Sequence, residues 1–233
     1  MSSFIGFYGR NERLSRQISA LAGSSVFNVA SGNIFVAGSG HPDRLIHHYN
    51  IEQRTGWAVS GIGLDAGLPF KWLRKKDWAE KIHQPKEEIL RLNGHFAAMR
   101  FSGNEIEFFT DAIGMRSLFF AQIDETHLFS TRFDWLLELL PQKTMNWETF
   151  GSYWNAINSF SGNSFIREIK RLKSSGYARF AAGKAQFNSV PFSMPQSGTL
   201  SIDFKTALTS ICTTLGDKDQ PVSLGLSGGL DSR

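Results

Sequence analysis

The chain has a single cysteine, Cys212, in 233 residues, so no disulfide can form within it. That leaves a reducing compartment, the cytoplasm, as the expected location. Cys212 sits in a helical apolar-polar stretch and reads as a small buried hydrophobe. No apolar run approaches the roughly 20 residues needed to span a bilayer. The first residues lack a basic stretch ahead of an apolar one, so no secretory leader or membrane association is expected. Excess charge is scarce too: 25 Lys and Arg oppose 21 Asp and Glu, and the surplus of +4 is scattered. Nucleic-acid binding has little support in that balance. The adjacent His47 and His48 would point to opposite faces of a strand, so no metal centre is expected there. What the chain has is aromatics, 20 Phe and 6 Trp, which suit a thick, sheet-rich core.

The most informative stretch is the last, 221–233. Residues 222–226 are a largely apolar run, bounded by Pro221 and running into the Gly228-Gly229 pair, and predict a short buried strand. A turn then follows. Ser227, Gly228, Gly229 and Ser232 let backbone N–H groups and two hydroxyls approach an anion closely, because glycine has no Cβ in the way. Asp231 beside a phosphate needs a cation between them, which implies a magnesium-bridged nucleotide. No Gly-Lys-Ser/Thr follows, so this is not the lysine-bearing phosphate loop.

This run resembles the pyrophosphate loop of the asparagine synthase family and of related ATP pyrophosphatases. The resemblance implies that Leu226, Ser227, Gly228, Gly229, Asp231 and Ser232 grip the pyrophosphate of ATP, with Mg2+, while a carboxylate is adenylated. An amine or ammonia then attacks, releasing AMP and pyrophosphate. A carboxylate substrate, ATP and a nitrogen donor are the implied partners, with a homodimer as the implied assembly. Arg233 departs from the small residue that many members carry there. The chain stops at Arg233, ahead of the helix, adenine pocket and acceptor site that the family implies. As given, it is expected to be a truncated fragment that binds ATP weakly or not at all.

The other end carries the second half of the resemblance. Residues 4–8 predict a strand following Met1-Ser2-Ser3. The family opens Met-Cys, and the freed cysteine attacks glutamine with its own α-amine as base. Ser2 stands at that position, and a hydroxyl is far less nucleophilic than a thiolate near neutral pH. The plainer reading, a small residue opening an edge strand, is the one the sequence favours. The strand 57–63 sits where the family has Asn-Gly-Glu, whose asparagine side chain and glycine N–H stabilise the oxyanion. Here Ser60 replaces the amide, Gly61 is kept, and Ile62 replaces the acid. The resemblance also implies an arginine in this region that holds the substrate carboxylate; Arg44 and Arg54 both lie there, and neither aligns with it clearly. Two altered parts, far apart in sequence, argue against glutamine hydrolysis.

From Asn93 the resemblance is continuous. Gly94-His95-Phe96-Ala97, then Thr110-Asp111-Ala112-Ile113-Gly114-Met115-Arg116-Ser117-Leu118-Phe119-Phe120, is similar to Gly-x-Phe-Ala and Arg-Asp-x-x-Gly-x-x-Pro-Leu-Tyr-Tyr. It reads as sheet core and turn, with Gly114 in a conformation other residues tolerate poorly. Residues 164–177 resemble the family's closing strand-and-turn clasp. The basic run 71–81, with Trp72 and Trp78, reads as a solvated loop or helix face, as does the cluster Arg167, Lys170, Arg171 and Lys173. Helices are expected over 10–22, 86–92, 133–140, 147–156 and 201–215.

The fold expected is α+β: a four-layer αββα sandwich of two antiparallel sheets, of the N-terminal-nucleophile hydrolase kind. The first helix and strand of a doubly wound α/β domain follow it. The boundaries are 1–187 for an amidotransferase-like, non-hydrolysing domain, 188–200 for a Pro/Ser/Gly-rich linker, and 201–233 for the start of the ATP-pyrophosphatase domain. Three functions follow. The first is an ATP-dependent amide-forming ligase with a degraded glutaminase, as in the β-lactam synthetase and lasso-peptide cyclase branch. The second is a working glutaminase using Ser2. The third is a non-catalytic module that binds a ligand or partner.

Overall fold

The computed structural model describes residues 2–65, 71–156, 162–190 and 204–215. The chain begins with β1 (Ser3–Tyr8), α1 (Glu12–Ala22), β2 (Ser25–Ser31), β3 (Ile34–Ser39), β4 (Leu45–Asn50), β5 (Thr55–Asp65) and β6 (Lys71–Leu73). It continues through α2 (Lys75–Lys81), α3 (Lys86–Leu90), β7 (Asn93–Ser102), β8 (Glu105–Thr110), β9 (Phe119–Ile123) and β10 (Thr126–Ser130). The remainder is α4 (Phe133–Leu139), α5 (Trp147–Ala156), β11 (Lys170–Arg171), β12 (Gly176–Ala181), β13 (Lys184–Ser189) and α6 (Phe204–Leu215).

Strand alternation sorts the apolar residues into two faces, and helices cover the outer ones. One sheet runs β11-β9-β10-β1-β3-β2, and the other runs β13-β12-β8-β7-β5-β4 with β6 beside β5. Phe4, Tyr8, Val36 and Phe129 of the first sheet meet Met99, Phe101, Phe108 and Phe180 of the second, forming the central layer. The other face of the first sheet, Ile5, Phe7, Phe35 and Leu128, packs on Leu14 and Ile18 of α1 and on Trp135 and Leu136 of α4. The outer face of the second sheet, Trp57, Val59, Phe96 and Phe109, is covered by Trp78, Ile82, Ile89 and Leu90 from α2 and α3. The result is the expected four-layer αββα sandwich. Each fully buried Phe or Trp contributes on the order of 2 kcal/mol of burial free energy.

Local chemistry sets the element ends. The Asn11 side chain caps α1 by accepting from the Leu14 N–H at 3.1 Å, an interaction worth about 1 kcal/mol. In the turn after β8, Gly114 adopts φ 66°, and a Cβ there would press on the Ser174 backbone at 3.1 Å. A left-handed glycine is what the sequence anticipates at this place.

Four expectations need correction. β1 is not an edge strand: it pairs with β10 on one side and β3 on the other, because its residues are buried on both faces. The run 71–81 is not merely a solvated face, since Trp78 is fully buried, edge-on to Phe96 at 5.0 Å between ring centroids. Its charges instead pair locally, Lys71 with Asp77 at 2.5 Å and Lys81 with Asp65 at 2.7 Å. Cys212 is exposed rather than buried, on the same helix face as Leu208, itself 47% exposed. β13 continues through Ser189, two residues into the stretch assigned to the linker. The strand 222–226 and the turn Leu226, Ser227, Gly228, Gly229, Asp231 and Ser232 lie outside the described residues. Among the described residues, no helix is long and apolar enough to cross a membrane.

Candidate functional site

The site lies at the end of the sandwich where the chain passes between sheets. Ser2 leads into β1, an interior strand of one sheet, and Ser60 and Gly61 lie on β5, which stands between β7 and the edge strand β4 of the other. The β3–β4 crossover brings His41 and Arg44, the start of β7 brings His95, and the β8–β9 turn brings Arg116. Together with Ile62 these residues line a cavity of about 340 Å3. The three residues singled out at the amino-terminal end, Ser2, Ser60 and Gly61, are therefore brought to one place. Of the two candidate arginines, Arg44 lines the cavity. Arg54 instead forms the β4–β5 turn, at φ 50°, with its carbonyl accepting from the Gly103 N–H at 3.0 Å.

The polar groups of this site are bonded to one another. The Ser2 Oγ accepts from the His41 N–H at 3.0 Å and donates to the His41 carbonyl at 3.2 Å. Gly40 permits that close approach, because a Cβ on it would fall 2.4 Å from the Ser2 Cα. The Ser60 Oγ donates to the Ser2 carbonyl at 2.7 Å, and Arg116 Nη2 donates both to that carbonyl and, at 2.8 Å, to the Ser60 Oγ. The Gly61 N–H donates to the Arg44 carbonyl at 2.8 Å. An oxyanion hole needs donors left free for the developing charge. Here the Ser60 hydroxyl and the Gly61 N–H, which the resemblance implies would serve, are both occupied.

Arg116 lines the cavity although its sequence context, read as sheet core and turn, does not single it out. Its position depends on Asp111, a fully buried carboxylate that accepts four main-chain N–H groups. Oδ2 takes Phe96 at 3.2 Å and Arg116 at 3.0 Å, while Oδ1 takes Ile113 at 3.3 Å and Met115 at 3.0 Å. A carboxylate is suited to this role because it offers several acceptor positions and no donor. The segment after β11 holds the turn from outside. Arg171 Nη2 donates to the Gly114 carbonyl at 3.0 Å, and the Thr110 Oγ1 donates to Lys173 at 2.7 Å and accepts from Gly176 at 2.9 Å. That is the clasp expected over 164–177, and Thr110, standing where the family has arginine, is one of its anchors. Burial draws the Arg116 pKa down from its ordinary value, although a guanidinium stays charged at neutral pH.

No family model matches the chain, and no curated protein matches it. Among solved structures, it is similar to glutamine phosphoribosylpyrophosphate amidotransferase from B. subtilis complexed with ADP and GMP. That match has a TM-score of 0.49 at 9% identity and covers 80% of this chain and 49% of the other. A second similar structure, described as the allosteric regulatory enzyme of purine biosynthesis, has the same score and identity and is covered over 48% of its length. The chain thus spans about half the length of the structures it matches.

Among the described residues no group of three or more His, Cys, Asp or Glu side chains is placed to hold a metal.

Proposed function

We propose that residues 2–190 form a glutamine-amidotransferase-like domain that does not hydrolyse glutamine, placed ahead of an ATP-dependent amide-forming ligase domain. The single observation that carries the first half is that Ser2, Ser60 and Gly61 are all already bonded, Ser2 to His41, Ser60 to Ser2 and Gly61 to Arg44. A nucleophile whose hydroxyl is tied to the His41 main chain must break two hydrogen bonds before it can attack. A tetrahedral oxyanion would then meet no free donor from Ser60 or Gly61, because those bonds end on Ser2 and Arg44. One lost oxyanion donor costs about 100- to 1,000-fold in rate. Weak intrinsic nucleophilicity of a hydroxyl compounds the loss.

The ligase half is supported by the run Leu226, Ser227, Gly228, Gly229, Asp231 and Ser232 and its similarity to the asparagine synthase pyrophosphate loop. In this reading those residues hold the pyrophosphate of ATP with Mg2+. The nitrogen donor is free ammonia or an amine on the substrate, since none is released from glutamine. Arg44 keeps the role of holding a carboxylate at the emptied glutamine site.

The test of the first half is glutamate release from glutamine, measured on protein in which Ser2 is verified as the first residue. Wild type and Ser2→Ala are expected to give the same background rate. Release that depends on Ser2 would overturn the reading and favour the working-glutaminase alternative. For the second half, Mg-ATP titrated into the 233-residue chain is expected to show at most weak binding, because ordering a short glycine-rich run offsets most of what its N–H donors gain. Micromolar binding would contradict that.

A further inference from the structure

Among the described residues, the cavity that holds Ser2 is lined by two arginines, Arg44 and Arg116, with His41 and His95 and no carboxylate; Asp43 stands beside it, paired with His41 at 3.5 Å. Arg116 reaches it from the β8–β9 turn, at the buried end, where it bonds to Ser60 and Ser2. Arg44 reaches it from the β3–β4 crossover, at the exposed end, with its guanidinium over the Trp72 ring at 4.9 Å. Among the described residues neither arginine forms an ion pair, whereas the nearby Lys71 and Lys81 each have an aspartate. The Arg116 Nε is buried without a partner. A partly buried charge left uncompensated is costly, and an anion bound beside it offsets that cost.

We infer that this cavity binds a small dicarboxylate, one end on Arg116 and the other on Arg44, in place of an amino acid amide. The inference rests on the reading that Ser2 does not cleave glutamine, and it names what occupies the site instead. Two guanidinium groups arriving from different walls suit a ligand with two separated anionic ends: Arg44 offers its whole fork, and Arg116, whose Nη2 is bonded to Ser2 and Ser60, offers the rest of its guanidinium. An α-ammonium group would find no acid on this lining, and Ile62 stands where the resemblance implies one. A volume of about 340 Å3 lies at the small end of ligand pockets, which fits a molecule of four or five carbons rather than a nucleotide.

The experiment is calorimetric titration of the 233-residue protein with succinate, 2-oxoglutarate, L-glutamate, L-glutamine and inorganic phosphate, repeated on Arg44→Gln and Arg116→Lys. Succinate or 2-oxoglutarate is expected to saturate one site and to raise the Tm of the wild type. Binding should weaken about tenfold in Arg44→Gln, the loss of one charge-assisted contact. Arg44→Gln should also unfold at the wild-type temperature without ligand, since Arg44 is exposed. Arg116→Lys keeps the charge but loses the fork, and it should weaken binding as well. The inference is overturned if no dicarboxylate saturates, if glutamine or phosphate binds as tightly, or if Arg44→Gln leaves the affinity unchanged. Glutamate release recorded in the glutamine samples separates the two claims. Turnover would end the non-hydrolysing reading, while dicarboxylate binding without turnover supports both.

Discussion

The Ser60 hydroxyl donates to the main-chain carbonyl of Ser2 across 2.7 Å, joining the two sheets through residues 58 apart in sequence. Both residues are buried, Ser60 completely. The side chain that the asparagine synthase resemblance assigns to an oxyanion is thus a structural tie between layers. Ser60→Ala should lower the unfolding free energy by about 1–2 kcal/mol, the cost of a buried carbonyl losing one of its donors. Urea denaturation measures it. An unchanged midpoint and slope would mean that the tie contributes nothing.

Arg116 supplies the other donor to the same carbonyl, from a turn more than a hundred residues away. Arg116→Met should cost about 1–3 kcal/mol, because it leaves Ser2 and Ser60 short of a buried partner. Arg44→Ala, by contrast, removes an exposed side chain and should stay within about 0.5 kcal/mol of wild type. Denaturation of the two variants side by side checks the order. The reverse order would show that the clamp on Ser2 is not a stabilising contact.

Asp111 is the most connected side chain behind the site. Asp111→Asn should destabilise by at least about 2 kcal/mol, since the amide offers one acceptor oxygen and turns its NH2 toward main-chain donors. Hydrogen exchange should show the loss first at the Ile113, Met115 and Arg116 amides, which the carboxylate now holds.

Much of the sandwich is legible in the sequence. Alternating apolar residues over 93–101 and 105–110 give β7 and β8 directly, and the spacing of Leu14 and Ile18 gives α1. The site is legible in part. Ser2, Ser60 and Gly61 could be singled out by their places in a known pattern, but the groups they bond could not. His41 and Arg44 use main-chain atoms to bind Ser2 and Gly61, and main-chain bonding leaves no trace in residue type. Arg116 could have been found by one signal: it is the lone basic residue in an otherwise uncharged stretch following a buried Asp-x-x-Gly turn. Trp78 was obscured by its neighbours, because lysines on the exposed side of a short helix conceal a single buried position.

His47 gives the fold a pH dependence that has nothing to do with the cavity. Its ring stacks on Phe27 at 4.5 Å between the outer strands of the two sheets, and burial, with Lys75 nearby, holds its pKa below the usual 6.5. The unfolded chain therefore binds a proton at a higher pH than the folded one does. That contribution to stability is complete above 6.5 and is lost as the pH falls through 6.5 toward the folded value. His47→Gln should unfold with a shallower dependence on pH in that window, as followed by thermal melts. Parallel curves for the variant and the wild type would show that His47 does not titrate on unfolding.

The central claim is that the Ser2 hydroxyl is held by the His41 main chain and is not available as a nucleophile. Intact-mass measurement after incubation with an electrophilic glutamine analogue, such as a diazoketone, asks this without depending on turnover. Protein that begins at Ser2 is expected to keep its unmodified mass. A stoichiometric adduct on Ser2, absent from Ser2→Ala, would contradict it.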